Sequence, residues 1–149
     1  MERRWYKVWP VWAPKTIEIN RPISEYIREW VKLTPQRIAI SFYGRDITFA
    51  DLNMMVDKLA WRLHGLGVTL GDRVAIHMEN CPQFVIAYFS ILRAGGVVVP
   101  ANPMFKEAEL KHELNDSGVE TFIGLDISFP DFHQTSLLRP LPNTAEHSG

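Results

Sequence analysis

Five stretches in the second half of the chain decide how it folds: Arg73-Val-Ala-Ile-His-Met78, Pro82-Gln-Phe-Val-Ile-Ala-Tyr-Phe-Ser-Ile-Leu92, Val97-Val-Val99, Lys106 to Asn115, and Val119 to Leu125. The first, third and fifth are short, apolar and rich in β-branched residues, the pattern of strands. In the second, Phe84, Val85, Ala87, Tyr88, Ile91 and Leu92 occupy nearly the whole circumference of a helix, and a helix apolar all round is a buried one. The fourth is a charged helix. Strand, helix, strand, helix, strand with tight connections implies right-handed crossovers and a parallel sheet with helices on its faces. Near-continuous apolar strands such as Val97–Val99 fit burial on both faces. The predicted class is α/β, a partial parallel sheet with flanking helices. Three strands rarely make a self-sufficient sheet, so more of it is expected elsewhere.

Working outward, Asn80 is placed to cap the buried helix, and Pro82 suits its first turn because proline's missing N–H is not needed there. Gly95-Gly96 ends that helix. Upstream, Thr48-Phe-Ala-Asp51 opens a long helix: the Thr hydroxyl can accept a backbone N–H, and an acid follows three residues later. Leu52, Met55, Val56, Leu59, Leu63 and Leu66 form its apolar stripe. Before it, Ile38 to Tyr43 and Ile47 to Phe49 flank Gly44-Arg45 and read as a β-hairpin. A first helix is predicted over Ser24 to Leu33, stopped by Pro35. Residues 1–21 form an arm with Trp5, Trp9 and Trp12 among basic residues and prolines. Residues 22–126 carry the strong periodicity, and 127–149 form a tail expected to be irregular, containing Pro130, Pro140 and Pro142.

The 149 residues amount to one domain on the usual prior of about 100–200. Apolar residues make up 46% and charged residues 22%, close to globular averages. Sixteen basic against seventeen acidic residues give a net charge of -1, which removes the electrostatic case for nucleic-acid binding. A single cysteine, Cys81, excludes an internal disulfide framework and a Cys-rich zinc site. No secretory h-region and no bilayer-length apolar run occur, so a cytoplasmic location is expected. The arm's tryptophans beside Arg and Lys suit packing on the protein or a partner. Its prolines argue against an amphipathic membrane anchor.

No complete catalytic constellation is present. Gly65-Leu-Gly67-Val-Thr-Leu-Gly71 has one residue too many for G-x-G-x-x-G, and it follows a helix and precedes a strand, the reverse of a pyrophosphate loop. It reads as a helix stop and a turn. Glu109, His112 and Glu113 share a helix face, but Asp116 stands where H-E-x-x-H needs its second histidine, so a solvated charged face is preferred. His77, Glu79 and Cys81 alternate at the end of a strand and could point to one side near the sheet's C-terminal edge, where ligands bind in parallel sheets. Without a second Cys or a nearby His, a core thiol and a loop-entry histidine are preferred. There is no G-x-S-x-G nucleophile elbow. We assign no catalytic and no metal-binding residue.

Several pieces nevertheless resemble one family, in order. Thr34-Pro-Gln-Arg-Ile-Ala39 is similar to the stretch after its first helix, and Ile47-Thr-Phe-Ala-Asp-Leu52 to its L-T-[YF]-x-E-L element. Gly67-Val-Thr-Leu-Gly-Asp-Arg-Val-Ala75 and Glu79-Asn-Cys-Pro82 look like its next strand and helix entry. Ile91-Leu-Arg-Ala-Gly-Gly-Val-Val-Val-Pro-Ala-Asn-Pro103 resembles its A-G-[AG]-x-x-x-P-x-N-P signature. The family is the adenylate-forming acyl-CoA synthetases, or AMP-binding ligases, and the resemblance covers Ile23 to Asp126.

The resemblance implies ATP-dependent conversion of a carboxylate to an acyl-adenylate, then transfer to CoA, with ATP, Mg and CoA as the cofactors of the full-length enzyme. It implies a fatty acid of long or medium chain as substrate, and an N-terminal fragment inactive alone whose partner is the remainder of the ligase or a complementing chain. The family's Thr/Ser/Gly-rich phosphate loop ending in P-K-G and its catalytic lysine do not occur here. Asn102 and Pro103 are candidates for the CoA side of the enzyme, by resemblance only. After Asp126 the family pattern fades, as a frameshift or truncation would produce, and as a short protein in its own right would also show. The second expectation is a non-enzymatic module or split-ligase subunit that docks by an exposed sheet edge and the arm.

Overall fold

The computed structural model describes residues 7, 8, 10, 21–125 and 135–138. The reading of the tryptophan arm as a partner-packing or membrane-contacting segment therefore lies outside the described residues for all but four positions.

Helix α1 (Ile23–Leu33) ends where Thr34 donates its N–H to the Trp30 carbonyl, one residue before Pro35. Strands β1 (Ile38–Phe42) and β2 (Arg45–Thr48) pair antiparallel around Tyr43-Gly44, both at positive φ. Helix α2 (Phe49–Gly65) starts as its sequence dictates: the Thr48 Oγ1 accepts the Asp51 N–H at 3.2 Å and donates to the Asp51 carboxylate at 2.7 Å. Beyond it, Thr69 donates its N–H and its hydroxyl to the Asp72 carboxylate, at 2.7 and 2.9 Å, closing the turn into the sheet.

The sheet comprises β3 (Arg73–His77), β4 (Val97–Ala101), β5 (Thr121–Leu125) and β6 (Thr135–Leu138), in the order β4-β3-β5-β6. β3 pairs parallel with β4 and with β5, so the predicted parallel core is present. Helix α3 (Pro82–Ala94) joins β3 to β4, and α4 (Glu107–Ser117) joins β4 to β5. Val74, Ala75 and Ile76 of β3 are fully buried although they alternate between faces, as a central strand covered on both sides must be.

The sequence reading needs two corrections. Part of the tail expected to be irregular is strand β6, paired antiparallel with β5. The residue at the N-cap of α3 is Cys81 rather than Asn80, with no side-chain hydrogen bond to the helix. Pro82 does open the helix, which removes one of the N–H groups a cap would have served.

Two apolar clusters form the core. One packs Ala60, Leu63, Val68, Val74, Ile76, Ala87, Ile91 and Ile123 between helices and sheet. The other joins Ile27, Leu52 and Val56 to the hairpin residues Ala39, Ile40 and Ile47. α3 serves both: Phe84 and Tyr88 lie against the first cluster, Val85, Ile86 and Phe89 against the second. That double duty is why its sequence is apolar all round. Ser90, fully buried in this helix, donates its hydroxyl to the carbonyls of Ile86 at 2.6 Å and Val56 at 3.1 Å. Among the described residues, no helix is long and apolar enough to cross a membrane.

Candidate functional site

The connections around β3 fix where a ligand could enter. The chain leaves β3 through α3 to reach β4 on one side, then leaves β4 through α4 to reach β5 on the other side of β3. Right-handed crossovers in opposite directions place α3 and α4 on opposite faces of the sheet. The loops that follow β3 and β4 must therefore part at the strands' carboxyl ends. An open crevice at such a switch point is where open α/β sheets bind ligands.

A crevice of about 500 Å³ lies there, lined by Met78, Glu79, Asn80, Phe84, Pro100, Ala101, Asn102 and Pro103. Both residues singled out by resemblance, Asn102 and Pro103, are on its wall. The loop they begin is folded on Asn102, whose Oδ1 accepts the Met104 N–H at 3.0 Å while its carbonyl accepts the Phe105 N–H at 3.0 Å. This leaves the Asn102 amide nitrogen, on an exposed residue, without a bond among the described residues. Glu79 was placed near this edge from sequence but not joined to Asn102, while Asn80 was read as a helix cap and Phe84 as part of a buried helix; the signal that could have placed Asn80 there is its position directly after the central strand.

The alternating trio at the end of β3 is not brought together. Glu79 faces the crevice, whereas the His77 ring lies 6.1 Å from Phe122 on the sheet, and its Nε2 is buried without a hydrogen-bond partner among the described residues. Cys81 is a free thiol, partly buried against the first cluster. On α4, the Glu109 carboxylate accepts the Lys106 N–H at 3.0 Å and so serves the helix start, while His112 is exposed. Among the described residues, no group of three or more His, Cys, Asp or Glu side chains could hold a metal ion. Gly67 and Gly71 sit in the stop and turn after α2, both at φ 89, with the Gly71 N–H donated to the Gly95 carbonyl.

The chemistry of the lining is mostly apolar, with two amides and one carboxylate. Among the described residues the lining carries no Lys or Arg, and its one ionisable group is Glu79. It can pack an apolar segment and hydrogen-bond it at Glu79, Asn80 and Asn102.

Comparison with known proteins agrees with the architecture. The sequence pattern of the family described as "AMP-binding enzyme" matches residues 27–147, reaching through β6. The chain is 38% identical over 130 residues to a long-chain-fatty-acid–CoA ligase of Bacillus subtilis (strain 168), covering 87% of this chain and 23% of the ligase. It is 33% identical over 126 residues to triostin synthetase I of Streptomyces triostinicus, covering 85% of this chain and 24% of the synthetase. The N-terminal subdomain of Klebsiella oxytoca NpsA, solved in complex with 3-hydroxyanthranilyl-AMSN, superposes with a TM-score of 0.67 at 28% identity, over 72% of this chain and 28% of that one. The chain thus spans about a quarter of the length of these relatives. With its sheet, its helix order and its sequence all in agreement, the chain belongs to the AMP-binding enzyme family.

Proposed function

We propose that this chain is the N-terminal part of a fatty-acid–CoA ligase, contributing structure and one wall of a ligand crevice to an enzyme whose phosphate chemistry is done by other residues. The observation that carries this reading is the 38% identity to the Bacillus subtilis long-chain-fatty-acid–CoA ligase, which spans most of this chain and under a quarter of that enzyme. In the full reaction ATP activates a carboxylate as an acyl-adenylate, and the acyl group then passes to CoA. Stabilising charge on the transferring phosphate needs cations and donors aimed at its oxygens. These 149 residues contain no Thr/Ser/Gly-rich loop ending in Pro-Lys-Gly, and the crevice carries a carboxylate instead. The 149-residue chain alone is therefore inactive. Asn102 and Pro103 act on the CoA side.

The test is a chimera in which this chain replaces the matching segment of the Bacillus subtilis ligase, assayed beside the 149-residue chain alone. Acyl-CoA formation from a long-chain fatty acid by the chimera and none by the chain alone supports the reading. Turnover by the chain alone overturns its inactivity. Because the structural neighbour NpsA is solved with a 3-hydroxyanthranilyl group, an aromatic acid is offered to the chimera beside the fatty acid.

A second reading, a non-enzymatic module or split-ligase subunit, draws on β4, which forms one edge of the sheet and leaves Val97 47% exposed. An unpaired edge of this kind can accept a strand from another chain. A stoichiometric oligomer in a concentration series of light-scattering masses favours that reading; a monomer or polydisperse aggregate counts against it.

A further inference from the structure

The register of β4 on β3 fixes which of its backbone groups face outward, and from it we infer that Pro100 closes this edge of the sheet to strand addition. β4 stands at the end of the order β4-β3-β5-β6, so one of its sides carries no strand among the described residues. Val97 donates its N–H to the Asp72 carbonyl at 2.8 Å, and the parallel pairing sets Arg73 beside Val97, Ala75 beside Val99 and His77 beside Ala101. In a parallel ladder every second residue of a strand bonds the same neighbour. Val97, Val99 and Ala101 therefore turn their N–H and C=O groups toward β3, whereas Gly96, Val98 and Pro100 turn theirs away from it. The Gly96 N–H is already taken by the Ile91 carbonyl at 2.9 Å. Pro100 has no N–H. Along this row of outward groups, among the described residues, Val98 alone has a donor to offer a further strand.

A second copy of the chain, or any extended peptide laid against β4, would complete one bridge at Val98 and leave its own carbonyl opposite Pro100 without a donor. An unpaired backbone group buried in such a contact opposes the association. The side chains alone would invite pairing: Val97-Val-Val99 is a run of strong strand formers, and Val97 is 47% exposed. Proline on an edge strand counters that tendency at the backbone, where it costs the sheet nothing because the missing N–H points away from β3. A partner chain therefore finds a single full bridge at β4, too little for the strand docking that the module reading requires.

The experiment is amide hydrogen exchange, read residue by residue by NMR on the isotope-labelled 149-residue chain and on Pro100→Val, from about 50 μM to about 1 mM, with light-scattering masses at each concentration. In the parent, Val98 is expected to exchange about a hundredfold faster than Val99 and Ala101 throughout the series. Pro100→Val restores the missing donor, so Val98 exchange is expected to slow about tenfold with rising concentration as the mass climbs above that of the monomer. Val98 in the parent as protected as Val99 overturns the proposal, because a strand then covers the edge despite the proline. Val98 exchanging in Pro100→Val as fast as in the parent at every concentration overturns it too, because the proline is then not what closes the edge. Association of the parent with Val98 still unprotected runs through another surface and supports the closure. Protection at Val99 and Ala101 reports whether Pro100→Val has kept its sheet; where it has not, the Val98 rate of the parent decides alone.

Discussion

Arg93 on α3 donates from Nη1 to the Asp57 carboxylate on α2 at 2.7 Å, with its own side chain 6% exposed and that of Asp57 46% exposed. The same guanidinium donates to Asn53 Oδ1 at 2.9 Å and, from Nη2, to the Ser24 carbonyl on α1 at 3.0 Å. One buried cation thus ties together the three helices that surround the second core cluster. Removing the acid strands a charge that has little water to return to. Asp57→Ala is therefore expected to lower stability by about 2 kcal/mol, below the 3–5 typical of a fully buried pair because Asp57 is half exposed. Urea unfolding checks this, with a shifted midpoint and unchanged slope. Arg93→Lys should lose nearly as much, since an ammonium cannot reproduce the planar fork that reaches all three partners.

This clasp marks the boundary of what could be read from sequence. Thr48 and Asp51 announced the start of α2, and the alternation of apolar runs with glycine stops announced the parallel strands, because those signals are local. Arg93 lay in a helix read as apolar all round, and nothing at that position says that its partners are 36 and 69 residues away. β6 was missed for a related reason. It returns antiparallel, outside the strand–helix alternation that revealed its neighbours. Asn102 and Pro103 came from a motif and Glu79 from its place at the end of a predicted strand; that they line one crevice followed only when the crossover directions set the two loops apart.

The Gly95-Gly96 pair ends α3 for two separable reasons. Gly95 has φ 89, and a Cβ on Gly96 would stand 2.9 Å from Ile91 Cγ2 and 3.1 Å from the Asp72 carbonyl. Gly96→Ala must push apart the helix end and the strand entry, at an expected cost of about 1–3 kcal/mol. Gly95→Ala incurs the left-handed strain and also contacts Leu70 Cα at 3.3 Å, for a loss of about 1–2 kcal/mol. Thermal melts of both variants test this, and a midpoint within error of the parent would show that the turn yields freely.

Thr48 offers a local check on α2. Its hydroxyl serves one orphan N–H at the helix start, so Thr48→Ala is expected to cost about 1 kcal/mol, and Thr48→Asn to restore most of it. Equal losses in the two variants would mean that the cap is not what matters at this position.

Asn102 is the residue at which structure and proposed chemistry can be separated. Its Oδ1 holds the Met104 N–H, an exposed contact in a loop, so Asn102→Ala should cost no more than about 1 kcal/mol. Asn102→Asp keeps that acceptor and should leave stability within about 0.5 kcal/mol. It also replaces the side-chain NH₂ with a second negative charge on the crevice that Glu79 lines. In the chimeric ligase both variants are expected to leave adenylation, followed by pyrophosphate release without CoA, close to the parent, because the described lining carries no cation for that step. The thioester-forming half-reaction should show kcat/KM for CoA reduced about tenfold, equivalent to about 1.4 kcal/mol. Asn102→Asp should be the more impaired despite its better-preserved loop. The reverse order, with Asn102→Ala worse in both stability and rate, would mean that Asn102 shapes the loop and nothing more.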